Sequence, residues 1–185
     1  MSELSKVGNL IFYQSYGASW LDQVKTKMVQ RFTDGPYVHV AVMIDENVGI
    51  IEASLKGIAK GNLPKDHTSY TMAQTATVNI DSKGIARPLD PDRLSEAIQW
   101  AIRQINVPYG YLDIVSQAIN IIAPWNTIQI SQEGRPDCSN FAVMILDKAG
   151  VWLPDTFKEP YNVSPNDLAE WMGLLPGRNR IKKVP

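Results

Sequence analysis

Tyr37-Val38-His39-Val40-Ala41-Val42-Met43-Ile44 is the stretch on which the reading of the fold turns. It is dense in β-branched residues, which favour a pleated and half-buried surface. Its length suits a strand better than a helix. Asp45-Glu46-Asn47 follows with turn chemistry, and Val48-Gly49-Ile50-Ile51-Glu52-Ala53 then reads as a returning strand. The run therefore predicts a central strand of a mostly antiparallel sheet. Strict alternation puts His39 on one face with Tyr37 and Ala41, and Val38, Val40 and Val42 on the other.

Working outward, Leu10-Ile11-Phe12-Tyr13 reads as a further strand. Trp20 to Phe32 reads as a helix, with Leu21, Val24, Met28 and Phe32 at helical spacing, broken by Thr33-Asp34-Gly35-Pro36. Residues 54 to 74 are polar and only weakly strand-like, and Thr75 to Ile80 is a strand candidate. Asp90-Pro91 opens a helix, the aspartate capping and the proline needing no donor. Leu94, Ala97, Ile98, Ala101, Ile102 and Ile105 give it one apolar stripe. Tyr111 to Ile122 reads as another helix, and residues 125 to 136 as a loop. Asp137 can cap a helix from Cys138 to Lys148 that Gly150 ends, with Phe141, Ile145 and Ala149 on the face of Cys138. Ser164-Pro165-Asn166-Asp167 opens a last short helix through Met172. Strands and helices together predict one α+β domain over residues 1–185, a mostly antiparallel sheet packed with helices.

The chain has 185 residues, 44% apolar and 20% charged, and its net charge is −1. That is enough to bury a core without staples. No basic footprint points to nucleic acid, and the basic run Arg178 to Lys183 reads as a solvated end. No segment nears the ~18 apolar residues that span a bilayer. Met1 to Lys6 has no basic-then-apolar leader pattern, so the expectation is synthesis in the cytoplasm without a signal peptide. One cysteine and two histidines give no metal-ligand spacing of the usual kind. No metal or other cofactor is expected, and no Gly-rich phosphate loop or Gly-x-Ser-x-Gly elbow is present.

These absences turn attention to the thiol. Cys138 falls where a helix begins, and a helix N-terminus or a nearby imidazolium favours the thiolate, the reactive form. The first-turn amides there can also receive a developing oxyanion. The alternative for a lone cysteine is a buried small hydrophobe. His39 sits in a run that otherwise wants to be core, so its imidazole needs polar partners; the competing reading is a structural histidine whose hydrogen bonds are satisfied. His67 lies in the polar stretch Pro64 to Thr68 and reads as a surface residue. Glu52, on the strand expected to pair with that of His39, can hold the imidazole in its useful tautomer. The competing reading is a strand-end surface glutamate. Trp125, Trp152 and Trp171 could shape a groove or belong to the core.

The order of the motifs resembles that of the circularly permuted NlpC-type papain-like proteins. Gly8-Asn9-Leu10-Ile11-Phe12 is similar to their opening strand, and Tyr37-Val38-His39-Val40-Ala41-Val42 to their Ser-His-Val strand. Ile51-Glu52-Ala53 is similar to the next strand, whose Glu-Ala supplies the third polar residue. Val78 to Arg87 resembles a strand leading to an arginine, and Pro108-Tyr109-Gly110-Tyr111 a Pro-Tyr-Asp-Tyr segment. Cys138-Ser139-Asn140-Phe141-Ala142 resembles the nucleophile helix, and Ser164-Pro165-Asn166-Asp167-Leu168 the closing Ser-Pro-x-Asp-Leu. The likeness spans roughly residues 8 to 172. Asn9, Val38 and Gly110 depart from the pattern.

The resemblance implies a papain-like fold and acyl chemistry through a thioester. Cys138 would be the nucleophile, His39 the base and Glu52 its orienting partner. Tyr37, Tyr109, Tyr111 and Ser139 are the candidate substrate-binding or oxyanion positions, beside the backbone amide of Cys138. The implied partner is a peptide of the bacterial cell wall, peptidoglycan. With no leader, an effector delivered by a secretion system or a phage-borne lysin is expected, and a cognate immunity protein could accompany an effector. Two alternatives stand beside this one: a lipid acyltransferase or thioesterase using the same pair, and a non-catalytic binding module that keeps the fold.

Overall fold

The computed structural model describes residues 7–14, 35–47, 49–54, 57–65, 70–75, 89–108, 137–158 and 163–175. The expected helix over 20–32, the segments 76–87 and 109–136, His67 and the basic run 178–183 lie outside them. The described residues form five strands and four helices. The strands are β1 (Leu10–Tyr13), β2 (His39–Met43), β3 (Gly49–Ser54), β4 (Gly57–Asn62) and β5 (Tyr70–Ala73). The helices are α1 (Pro91–Arg103), α2 (Cys138–Lys148), α3 (Asp155–Lys158) and α4 (Pro165–Trp171).

The strands make one antiparallel sheet in the order β4-β3-β2-β1-β5, which puts β2 in the middle. The expected hairpin between β2 and β3 is present. Asp45 Oδ1 accepts from the amides of Asn47 and Gly49 at 2.9 and 3.0 Å, a side chain closing the turn in place of backbone. The region read as weakly strand-like, 54–74, contains β4 and β5. Its polar residues concealed them because both strands lie at the edges of the described sheet, where one side of the ladder meets no further strand among the described residues. Thr75, expected to begin a strand, instead follows β5, buried, its hydroxyl donating to the Gly8 carbonyl at 2.7 Å.

One face of the sheet carries the main core. Leu10, Phe12, Val40, Val42, Ile51 and Ala53 pack there with Ala97, Ile98 and Ala101 of α1 and Phe141, Ile145 and Leu146 of α2. The opposite face gathers Ile11, Tyr13, Ala41, Met43 and Ile50. Both faces being buried, β1 and β2 read as unbroken apolar runs rather than alternating ones.

The helix ends follow their caps. Asp90 caps α1, accepting from the amides of Asp92 and Arg93, and Leu94, Ile102 and Ile105 pack at the rim of the core beside the buried stripe. α2 ends in a Schellman arrangement: the amide of Gly150 donates to Asp147 and that of Val151 to Leu146. Gly150 takes φ 77°, the left-handed region that a side chain would strain. α4 carries a reciprocal capping box between Ser164 and Asp167. Trp171 packs edge-on to Phe157 at the core margin, whereas Trp152 is exposed. None of the described helices is long and apolar enough to cross a membrane.

Phe141 is buried between the sheet and α1, its ring 6.0 Å from that of Trp100. Phe141→Ala therefore leaves a cavity, and the expected cost is about 3–5 kcal/mol of unfolding free energy, read from the denaturant midpoint at unchanged slope.

Candidate active site

Cys138 is the first residue of α2, with Asp137 as its N-cap. The Asp137 side chain takes the amide of Asn140 at 2.8 Å, and its carbonyl takes that of Phe141 at 3.0 Å. The amides of Cys138 and Ser139, at the first two helical positions, have no acceptor within the helix and face outward from its end. That end is electropositive and suited to a negative sulfur or oxyanion. Cys138 is 7% exposed. Ser139 is buried, its Oγ 3.9 Å from Sγ, which sets the hydroxyl against the sulfur itself.

His39 is the first residue of β2 and is 5% exposed. Its Nε2 lies 2.8 Å from Glu52 Oε2, the short distance of a charge-assisted bond. The register explains the reach. Val42 pairs with Ile51, so Glu52 falls opposite Ala41 and meets His39 on the diagonal of the same face. Glu52 is half-buried, so it is a partner of the imidazole rather than a surface glutamate. With Nε2 committed to the carboxylate, Nδ1 is the nitrogen left for the thiol, and Cys138 is near enough to favour the charged form of the ring. One face of the ring rests against Tyr13, with centroids 5.5 Å apart, and Tyr70 continues the row 6.4 Å beyond.

Burial by itself pushes the His39 pKa down, because a charged ring loses its water. The negative charge of Cys138 and its hydrogen bond oppose this, followed by the hydrogen bond and charge of Glu52. Together they raise the value from 6.5 to about 10. Both Cys138 and Glu52 thus favour the charged form of the ring.

The entry to β2 departs from the expected alternation. Tyr13 is the register partner of His39, yet its carbonyl accepts from the amide of Val38 at 2.9 Å. Two consecutive residues, Val38 and His39, thus face one residue of β1, which is the count of a β-bulge. The side-chain alternation slips there by one place. Tyr37 therefore sits with Phe12 and Val40 in the main core and not on the face of His39, as strict period two had required. Its ring packs 5.3 Å from that of Phe12, and its hydroxyl donates to Thr71 Oγ1 at 3.4 Å. Tyr109 and Tyr111 lie outside the described residues.

Sequence reasoning missed two participants. Tyr13 was legible as a strand residue, but only the β1–β2 register sets it against His39. Asn166, 2% exposed on α4, binds the backbone of Tyr37 and carries no periodicity that would have singled it out. Among the described residues no group of three His, Cys, Asp or Glu side chains gathers in a way that could hold a metal ion. No protein-family model matches the chain, and no curated protein matches it.

The His39 charge has a measurable sign. In the unfolded chain the ring loses its proton near 6.5, and in the folded chain near about 10. Its contribution to stability is present in full below the lower value and is lost as pH rises through the upper one. Titration of the His39 ring protons by NMR is expected to give a midpoint near about 10 in the wild type. The midpoint should fall in Glu52→Gln and fall further in Cys138→Ala, which removes the two largest causes that raise it.

Proposed function

We propose that this protein is a cysteine-dependent acyl hydrolase with a permuted papain-like arrangement, working through a thioester. One observation carries the reading: a cysteine at the start of an 11-residue helix lies near enough to favour the charged form of a buried histidine, whose Nε2 a glutamate grips. Nucleophile, base and orienter stand in the linked order that such chemistry requires. Further support comes from the layout. The nucleophile heads a helix packed on the middle and adjacent strands of an antiparallel sheet, and the base and its partner lie on those two strands.

The mechanism follows from the residues. With its proton passing to His39, Cys138 Sγ attacks the carbonyl carbon of an amide or ester. The carbonyl oxygen becomes an oxyanion, and the outward amides at the start of α2 receive it. The tetrahedral species collapses to a thioester as His39 gives its proton to the leaving amine or alcohol. A water then enters; His39 takes one of its protons while the oxygen attacks the thioester carbon. A second collapse frees the acid and returns the sulfur to its pairing with His39. Glu52 keeps Nε2 occupied throughout, so that Nδ1 alone serves the sulfur and the leaving group. Tyr13 closes one side of the ring and limits its rotation.

For the substrate we propose the peptide amides of bacterial cell-wall stem peptides, which rests on the motif order from Gly8 to Leu168. Purified peptidoglycan is to be digested with the wild type and with Cys138→Ala, and the products read by mass spectrometry. The expected result is muropeptide cleavage by the wild type, reduced by at least about 10³-fold in the variant, as for loss of a nucleophile. An intact substrate after incubation with folded wild type would overturn the cell-wall reading. Thiol-dependent release of fatty acid from a lipid ester under the same conditions would move the activity to lipid acyl groups.

A further inference from the structure

Two hydrogen bonds join Asn166 to the backbone entering β2. The amide of Tyr37 donates to Asn166 Oδ1 at 3.0 Å, and Asn166 Nδ2 donates to the Tyr37 carbonyl at 2.8 Å. This reciprocal pair is what one residue of an antiparallel strand exchanges with its partner. The bulge explains why it is needed. The Val38 amide turns toward β1, so the amide and carbonyl of Tyr37 point to the other side. The β2–β3 pairs among the described residues are Val42 with Ile51 and Met43 with Ile50, several residues past Tyr37. The side-chain amide of Asn166 occupies the place that a neighbouring strand would fill.

The surroundings are built to hold it there. Gly35 faces the Asn166 side chain so closely that a Cβ at that position would collide with it. The helix that carries Asn166 is fixed at its start by the capping box of Ser164 and Asp167. Tyr37 is itself pinned by Phe12 and Thr71. Only Val38 separates this clasp from His39.

We propose that Asn166 is a positioning residue for His39: its amide replaces a strand at the bulged entry to β2 and thereby fixes where the imidazole meets Cys138 and Glu52. The inference rests on the reading of Cys138 and His39 as a reactive pair. A bulge alone leaves the first residue of a strand free to swing, and misplacement of a catalytic group by about 1 Å can cost 10²-fold. Clamping the residue two places upstream removes that freedom without occupying either ring nitrogen.

The test uses the full chain and no substrate. Cys138 is alkylated with iodoacetamide at about pH 6, where an isolated thiol is almost entirely protonated, and His39 is titrated by NMR. Asn166→Ala is compared with Ser164→Ala, which weakens the cap of the same helix but leaves the amide on Tyr37. Asn166→Ala is expected to slow alkylation by about tenfold and to lower the His39 midpoint, while Ser164→Ala changes neither. Wild-type behaviour of a folded Asn166→Ala protein, or equal effects from the two variants, would overturn the proposal. Should Asn166→Ala fail to fold, Asn166→Asp keeps the size and the acceptor for the Tyr37 amide but loses the donor. Slowed alkylation of that variant is expected, and an unchanged rate overturns the proposal. Failure of both to fold also overturns it, because the amide would then support the fold as a whole and not one side chain. Because neither readout depends on hydrolysis, a wild type that cleaves nothing would count against the proposed function and leave this test intact.

Discussion

An imidazole buried to 5% exposure, with neighbours that favour its charged form, is the constraint around which the described part of the molecule is arranged. Taking a charge out of water costs several kcal/mol unless partners replace the lost hydration. His39 has the Glu52 carboxylate on Nε2 and Cys138 as a second polar neighbour. Neither partner is near in sequence. Glu52 comes from the returning strand of a hairpin, and Cys138 from a helix about a hundred residues on. The charge is tolerated only if β3 and α2 both dock against β2, so the site and the core form together.

The docking is secured by ordinary apolar burial. Val40, Val42, Ile51 and Ala53 on the sheet meet Phe141, Ile145 and Leu146 on the helix, all essentially inaccessible to water. The same face of α2 that packs on the sheet carries Cys138 at its first turn, so packing and placement of the sulfur are one event. The caps at either end, Asp137 and the Gly150 turn, set where the helix starts and stops and hence the height of the sulfur over the sheet. Phe141 and Cys138 share a helical face three residues apart. Loss of the core would therefore misplace the Cys138 sulfur before it altered its chemistry.

Backbone polarity imposes a second condition. Buried amides and carbonyls must find partners, and the bulge at Val38 and His39 withdraws the entry to β2 from its regular ladder. Asn166 meets that condition at Tyr37, from a third distant segment. The first residues of β2 are thus held from β1, from α4 and, through the imidazole, from β3 and α2. A strand end, the place where fraying is ordinarily easiest, is here bound from three other segments.

Much of this was legible in the chain itself, because it depends on local rules. The β-branched run and its turn residues specified the β2–β3 hairpin, apolar spacing specified α1 and α2, and Asp90, Asp137, Gly150 and Ser164 marked helix ends through side-chain and backbone chemistry that acts within a turn. Cys138, His39 and Glu52 could be singled out from residue type and expected place, a helix start, an apolar run and the strand beside it, with a structural reading of each still open. The edge strands β4 and β5 were not legible, because half-exposed polar strands carry no pattern that loops lack. Nor was the face of Tyr37. Period two is a property of an unbroken strand, and the bulge that breaks it arises from how β1 and β2 are matched in space. The diagonal reach of Glu52, the tilted ring contact of Tyr13 and the clasp of Asn166 likewise depend on register and on contacts between residues far apart in sequence. Local preferences fixed the elements and the chemistry available; only the packing of the sheet against the helices decided which atoms of those residues meet.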